Sequence, residues 1–455
     1  MKEKPCYRLS PSQDVSYLQC RYTLFKRVIN ILSSVTLDEK VDYEILNQAY
    51  KLLIRRNDCL RIKFFKKKGQ LMQYFEDYDE SKVADIPVLT FDTEKKQNAF
   101  IDRTRKRPIN YMGGVVIEPR LIHTYEGKDM IFLKVCHLCL DVYGIHSIYM
   151  DLLGIYNALK NSTPLPEDPA SFEKVIIKDI ERSRNQNIND KHIEYFTNIL
   201  GDNPEPYYAG IHGPNNKIWQ KKLASHHRGM QMFFINCDTQ AYRHKIDRET
   251  VDKVLFYCRN NQCSPANLLF FAFSVTQGRL NGNVKNLLPL SLYNCRVSAL
   301  DKNCAGSKVQ SGACYTKIDY NSPFEENLKS FSAEQMKLYR HVNFSDRDFE
   351  TLLHTTYRSS YLETYYSLAF SLVPFDIPEG VEFNMYTNGK GALPNYVIQF
   401  LNAKTNEIDM AYDVQTKITT EEDVRLFHTY YVNVINQVMD DPRIKIGDIQ
   451  LSLEA

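Results

Sequence analysis

Apolar positions in the first 160 residues recur with two different periods, and the alternation between them predicts alternating helices and strands. Asp42 precedes Ile45, Leu46, Ala49, Leu52 and Leu53, which share one face at helical spacing behind a residue able to accept the first free amides. Extended runs over 60–65 and 71–75 flank Lys68-Gly69, where a hairpin turn is predicted because glycine tolerates positive φ. Residues 130–137 are short, apolar and partly β-branched, the mark of a buried strand. From Ile145 the period becomes helical: Ile145, Ile148, Tyr149, Leu152, Leu153, Tyr156 and Leu159 predict a core-facing helix ending near Lys160. Residues 137–144 therefore fall at a strand-to-helix turn.

Asn161-Ser162-Thr163-Pro164-Leu165-Pro166 breaks that helix, since two prolines cannot continue it, and marks a boundary between residues 1–165 and 166–455. A second loop spans 201–216. The later part repeats the earlier style. Ser264-Pro265 places a cap before a proline at the first helical position and opens an apolar helix to about Leu280. Strands are predicted over 287–293, 396–401 and 408–412, the last two around Lys404-Thr405-Asn406, followed by a helix over 421–439. The whole predicts an α/β layer architecture.

A length of 455 residues allows two or three domains. The 57 basic and 55 acidic side chains leave a net charge of +2, too small a field to argue for nucleic acid or an anionic membrane as partner. The longest strongly apolar run, 268–275, is too short to cross a bilayer. Met1-Lys2-Glu3-Lys4-Pro5-Cys6 turns polar before a signal-peptide core can form, so a cytoplasmic location is expected. The eleven cysteines are then expected to be reduced thiols. Cys136 and Cys139 have CxxC spacing, but no second pair at matching spacing completes a zinc or redox motif.

The candidate chemistry sits at the predicted strand-to-helix turn, where His137 and Asp141 form an HxxxD pair. By itself such a histidine is more often a satisfied core residue. A metal reading with His137, Asp141 and His146 as ligands lacks a further ligand pair. The basic run Arg103, Arg105, Lys106 and Arg107 fits a solvated helix face better than a phosphate site. Gly113-Gly114 lacks a phosphate-loop context, and His226-His227 and Trp219 have no spacing that defines a site.

Taken together, the neighbourhood resembles the condensation domains of nonribosomal peptide synthetases, members of the chloramphenicol-acetyltransferase-like fold. Their central motif is HHxxxDG. Here it stands as Cys136-His137-Leu138-Cys139-Leu140-Asp141-Val142, keeping the second His and the Asp but not the first His or the Gly. Asp151 to Tyr156 is similar to the family's next helix. Leu9-Ser10-Pro11-Ser12-Gln13 resembles the opening LSxAQ motif, and the stretch from Arg56 to Phe64 follows RHExLRTxF, with Arg56, Leu60, Arg61 and Phe64 kept. Residues 264–282 and 289–296 resemble a serine-proline helix and a strand ending in arginine. Residues 306–311 fall where the family has VGxFVNT, with Gln310 at the Asn position, and 442–452 resembles its closing segment.

The resemblance implies two chloramphenicol-acetyltransferase-like α/β sandwich lobes, 1–165 and 166–455, in a V-shaped pseudo-dimer with a tunnel that reaches His137. It implies an acyltransferase joining a thioester-activated acyl or aminoacyl donor to an amine acceptor, the new bond being an amide or an ester. His137 is the implied base or hydrogen-bonding orienter. Asp141 is the implied structural ion-pair partner, with Arg296 or Arg61 as counter-charge. Cys136, Val142 and Gln310 are neighbouring candidates, and Val142 threatens to narrow the site or to forbid a positive φ. No metal or tightly bound cofactor is implied. The donor would arrive as a phosphopantetheine-linked thioester on a carrier protein, alternatively as a CoA thioester, and the carrier protein and an adenylating enzyme would be supplied in trans. A catalytically degenerate docking protein of the same fold is the competing expectation.

Overall fold

A computed structural model describes residues 4–213, 228–233, 235–391, 393–402 and 404–452. His226-His227, Trp219 and the end of the 201–216 loop lie outside the described residues. The chain divides into two compact units. One comprises Met1–Asn185, Asn294–Gln310 and Ile377–Lys390; the other comprises Gln186–Tyr293, Ser311–Asp376 and Gly391–Ala455.

The first unit is built on a five-stranded sheet in the order Val381–Tyr386, Asn30–Leu37, Asp129–Cys136, Ile117–His123, Val88–Thr90. Only Val88–Thr90 pairs in parallel; the other three pairings are antiparallel. Asp129–Cys136 lies at the centre and is buried at every position, which is why its residues are apolar on both faces apart from Asp129 and Lys134. One face of the sheet, through Ile31, Val35, Ile131, Leu133 and Val135, meets the helices Tyr43–Arg56 and Val142–Asn161. The other face, through Leu32, Met130, Phe132 and Ile122, is covered by Ile101 of the helix Glu94–Lys106. Asp42 caps the first of these helices by accepting the Ile45 amide at 3.1 Å. The hairpin Ile62–Lys67 with Gln70–Phe75 turns through Lys68 at φ 49° and Gly69 at φ 79°. Lys68 therefore shares with the predicted glycine the two positive φ values of a type I′ turn.

A single cut at 165/166 does not reproduce this unit. It runs on to Asn185 and recruits two later segments, each for a physical reason. Val381–Tyr386 extends the sheet by pairing with Asn30–Leu37, and 294–310 brings Arg296 to a buried carboxylate described below. No local periodicity encodes either return.

The second unit supplies all but Asn294, Val309 and Gln310 of a six-stranded sheet in the order Val309–Ala313, Leu290–Asn294, Ala369–Pro374, Asn395–Asn402, Glu407–Gln415, Thr239–Ile246. Helix Pro265–Leu280 is buried on every side from Asn267 to Gly278, so it is largely apolar instead of amphipathic, with Asn267, Ser274, Thr276 and Gln277 as buried polar exceptions. Ser264 is its N-cap residue and Pro265 its first residue. The predicted strand over 287–293 is divided into Asn286–Leu287 and Leu290–Asn294, because Pro289 has no N–H for a ladder. Glu421–Asp440 begins with a capping box between Thr420 and Asp423. Among the described residues no helix is long and apolar enough to cross a membrane.

Candidate active site

Strand Asp129–Cys136 ends in a tight turn in which the Cys139 and Leu140 amides donate to the Cys136 carbonyl, at 2.9 and 3.3 Å. Cys136, Leu138, Cys139 and Leu140 are fully buried and pin the turn from below, leaving His137 partly exposed on its rim. The backbone of His137 is tied to the neighbouring strand by donation to the Ile29 carbonyl at 2.9 Å. Its Nδ1 lies 3.2 Å from the Ser16 hydroxyl. Burial pushes the imidazole below its usual pKa, against an opposing pull from Asp141, so the ring is neutral near pH 7.

Asp141 is the N-cap of helix Val142–Asn161, accepting the Gly144 amide at 2.7 Å. It does more than cap. Arg296 forks onto both carboxylate oxygens at 2.9 and 3.0 Å, and the Lys308 and Val309 amides add bonds of 2.7 and 3.0 Å. The pair is dry, with side-chain exposures of 1% for Arg296 and 4% for Asp141. Burial alone would raise the Asp141 pKa; the guanidinium and the converging amides outweigh it and hold the carboxyl below its ordinary value. Arg296 also donates to the Gly306 carbonyl and lies over the Tyr143 ring, 4.5 Å from its centroid.

Arg61 is not part of this constellation. It follows the C-terminus of helix Tyr43–Arg56 and donates to the carbonyls of Ile54, Arg55 and Glu76 at 2.6, 2.7 and 3.0 Å. A cation there satisfies the helix's last free carbonyls, so of the two arginines the resemblance offers, Arg296 is the counter-charge of Asp141. Val142 is the first residue of its helix and is absent from the positive-φ positions, so the backbone accepts a β-branched residue there. A glycine is needed two residues later, where a Cβ on Gly144 would stand 1.9 Å from the Ala305 carbonyl oxygen. Loop and helix can close only over a bare Cα.

Gln310 is buried and donates to the Ser12 hydroxyl at 3.1 Å. Cys136 and Cys139 are buried free thiols. The metal reading fails on donor chemistry, because both oxygens of Asp141 are engaged by Arg296 and three amides. Among the described residues no group of three or more His, Cys, Asp or Glu is arranged to hold a metal ion. Within the basic run, Arg105 and Lys106 pair with Asp102, and Arg107 with Glu118.

Of the supports of the turn, Gln13 falls in the opening motif and Ser16 does not. Ser10 and Gln13 form a capping box that starts helix Pro11–Tyr22. Gln13 then reaches the Leu138 carbonyl at 2.9 Å and pairs with Gln73, while Ser16, one turn further on, meets His137. The signal in the chain was the Leu9–Gln13 stretch, which contains the cap and Gln13 but not Ser16. What the helix faces depends on long-range packing.

This is an α/β protein with a partly exposed, neutral histidine four residues before a buried carboxylate that welds a strand, a helix and a distant loop. The chain belongs to the condensation domain family, whose model matches residues 3–455. It is 18% identical over 440 residues to a plipastatin synthase component of Bacillus subtilis (strain 168), covering 93% of this chain and 16% of that protein. It is 19% identical over 428 residues to surfactin synthase subunit 1 of the same organism, covering 92% of this chain and 11% of that protein. The chain thus spans less than a fifth of the length of these curated relatives.

Solved structures with the same fold include the starter condensation domain of rhizomide synthetase, a variant in complex with C8-CoA. Its TM-score is 0.81 at 15% identity, over 98% of this chain and 97% of that one. The first condensation domain of the calcium-dependent antibiotic synthetase, in complex with a substrate analogue, gives 0.79 at 13% identity, over 98% and 99%.

Proposed function

We propose that this condensation-family chain transfers an acyl or aminoacyl group from a thioester to an amine, with His137 as the residue that handles the proton. The observation that carries the reading is the placement of His137, half-buried at a strand-to-helix turn with Nδ1 3.2 Å from the Ser16 hydroxyl, where burial lowers its pKa. If Nδ1–H donates to the Ser16 hydroxyl, Nε2 keeps its lone pair and is the basic nitrogen. The amine nitrogen attacks the thioester carbonyl, the C–N bond forms, and the C–S bond breaks from the tetrahedral intermediate. Nε2 takes the proton that the nitrogen loses and returns it to the departing thiolate. Asp141 and Arg296 act as positioning residues that keep the turn closed beneath the imidazole.

The donor proposed is a phosphopantetheine thioester on a carrier protein loaded by an adenylating enzyme in the cytoplasm. A CoA thioester is the second reading, favoured by the C8-CoA in the rhizomide synthetase complex. The test is incubation with acyl-loaded carrier protein, or with acyl-CoA, and a panel of amino acids and amines, with products read by mass spectrometry. Amide formed from the carrier-bound donor and lost in His137→Ala supports the proposal, and the choice between donors follows from which thioester is consumed. A positioned base is worth about 10²–10⁴ in rate. Turnover that persists unchanged in His137→Ala would remove the imidazole from the chemistry, and a wild-type chain that binds a loaded carrier without turnover would favour the docking-protein reading.

A further inference from the structure

A second chemically distinct feature lies in the other unit, away from the residues assigned above. Helix Arg248–Asn260 ends in a turn that leads into helix Pro265–Leu280. Within the turn, the Cys263 amide donates to the Cys258 carbonyl at 3.1 Å, and Gln262 adopts a left-handed φ of 53°. This folds the chain back so that the sulfurs of Cys258 and Cys263 lie 3.3 Å apart. A disulfide needs about 2.05 Å, so closure asks for roughly an ångström of travel across a loop the backbone has already closed. Both are free thiols; Cys258 is buried and Cys263 half-buried.

The surroundings favour ionisation of the outer sulfur. Cys263 directly precedes Ser264, whose side chain makes no capping bond to the helix that follows. The positive end of a 16-residue helix is thus left uncapped beside the thiol. The contact between the two sulfurs lowers the pKa of Cys263, the more exposed of the pair, and raises that of Cys258. Cys263 lines an open groove of about 820 Å³ with Asn261, Asn267, Glu325 and Lys329, room enough for a small thiol-bearing molecule.

We propose that Cys258 and Cys263 form a redox-active dithiol in which Cys263 attacks a low-molecular-weight disulfide of the glutathione class and Cys258 resolves the product. In the first step the Cys263 thiolate forms an S–S bond to one sulfur of that disulfide and expels the other as thiolate. In the second, Cys258 gives its proton to solvent and attacks the Cys263 sulfur, closing the internal disulfide and releasing the second small thiolate. Two protein thiols are oxidised, and one external disulfide is reduced to two thiols.

The reduced full-length chain is exposed to oxidised glutathione at neutral pH and mapped by tryptic mass spectrometry. Trypsin cuts at Arg259, between the two cysteines, so the internal disulfide appears as two joined peptides. The expected results are this linked pair in the wild type, a stable glutathione adduct on Cys263 in Cys258→Ser, and neither in Cys263→Ser. Limited iodoacetamide labelling of the unoxidised wild type should modify Cys263 several-fold faster than the exposed Cys6, a measurement that needs no variant. Absence of the linked peptides in the oxidised wild type, or labelling of Cys263 no faster than of Cys6, would overturn the assignment.

Discussion

Replacing Asp141 by asparagine removes one charge and almost no volume, which makes it the sharpest probe of how the histidine turn is held. The carboxylate accepts five bonds, from the amides of Gly144, Lys308 and Val309 and from two nitrogens of Arg296. An asparagine retains one oxygen for these donors and turns an NH2 group toward the rest. The Arg296 guanidinium, 1% exposed, is left without a counter-charge in a site closed to water. Breaking a buried pair by removing one partner costs about 3–5 kcal/mol, a large share of the ~5–15 kcal/mol that holds a typical domain together.

In urea denaturation, with a slope of about 1–3 kcal/mol/M, this moves the midpoint of the affected transition down by at least about 1 M. The control is Glu422→Gln at the solvent-exposed Glu422–Arg425 pair, expected to leave the midpoint nearly unmoved. The pH dependence has a definite sign. The folded-state pKa of Asp141 lies below its unfolded value. Its contribution is therefore fully present above the ordinary carboxylate pKa and is lost as pH falls through the folded value. Asp141→Asn lacks that acid limb. The double replacement Asp141→Leu with Arg296→Met should be milder than the two single losses added together, because it leaves no orphan charge. A midpoint shift for Asp141→Asn no larger than that of Glu422→Gln would refute the reasoning.

Three further outcomes follow from the geometry. Ser16→Ala leaves His137 in place but removes its Nδ1 partner; a bond worth about 0.5–1.5 kcal/mol predicts a fall of roughly 2–10-fold in kcat, with a shifted pH–rate profile and little change in KM or urea midpoint. Gly144→Ala drives a methyl into the Ala305 carbonyl and should cost about 1–3 kcal/mol, whereas Gly201→Ala, with nothing within 4 Å, should leave the midpoint unchanged or slightly higher. His428 donates from Nε2 to the Lys245 carbonyl and accepts at Nδ1 from the Tyr412 hydroxyl, and burial, aided by the stacked His244, pulls its pKa down to about 4. Between about pH 6.5 and 4 the unfolded chain binds a proton there that the folded chain refuses, so stability falls on acidification and His428→Gln flattens that slope, read as urea midpoints at pH 5 and 7.

The local segments were legible because each is a one-dimensional pattern. The helix behind Asp42, the buried strand that ends at Cys136, the Ser264-Pro265 helix start and the terminal helix appear within a few residues of where periodicity and capping chemistry place them. The position of His137 and Asp141 at a strand-to-helix turn was legible too, whereas their roles came only from the resemblance, because an HxxxD spacing by itself fits a core histidine equally well. Helix Val142–Asn161 begins three residues before its first apolar contact, since Asp141 caps it, and periodicity registers contacts rather than caps.

What the chain by itself determined is therefore the elements, the α/β class and the place of His137 and Asp141 at a strand-to-helix turn. Only the tertiary structure decided that Arg296 and not Arg61 neutralises Asp141, that Ser16 and Gln13 hold the histidine turn, and that Val381–Tyr386 completes a sheet begun at residue 30. Each of these joins residues tens to hundreds of positions apart. Hydrophobic period and capping preference are properties of neighbours in sequence, whereas a buried charge takes whichever partner the packing of distant segments brings within 3 Å.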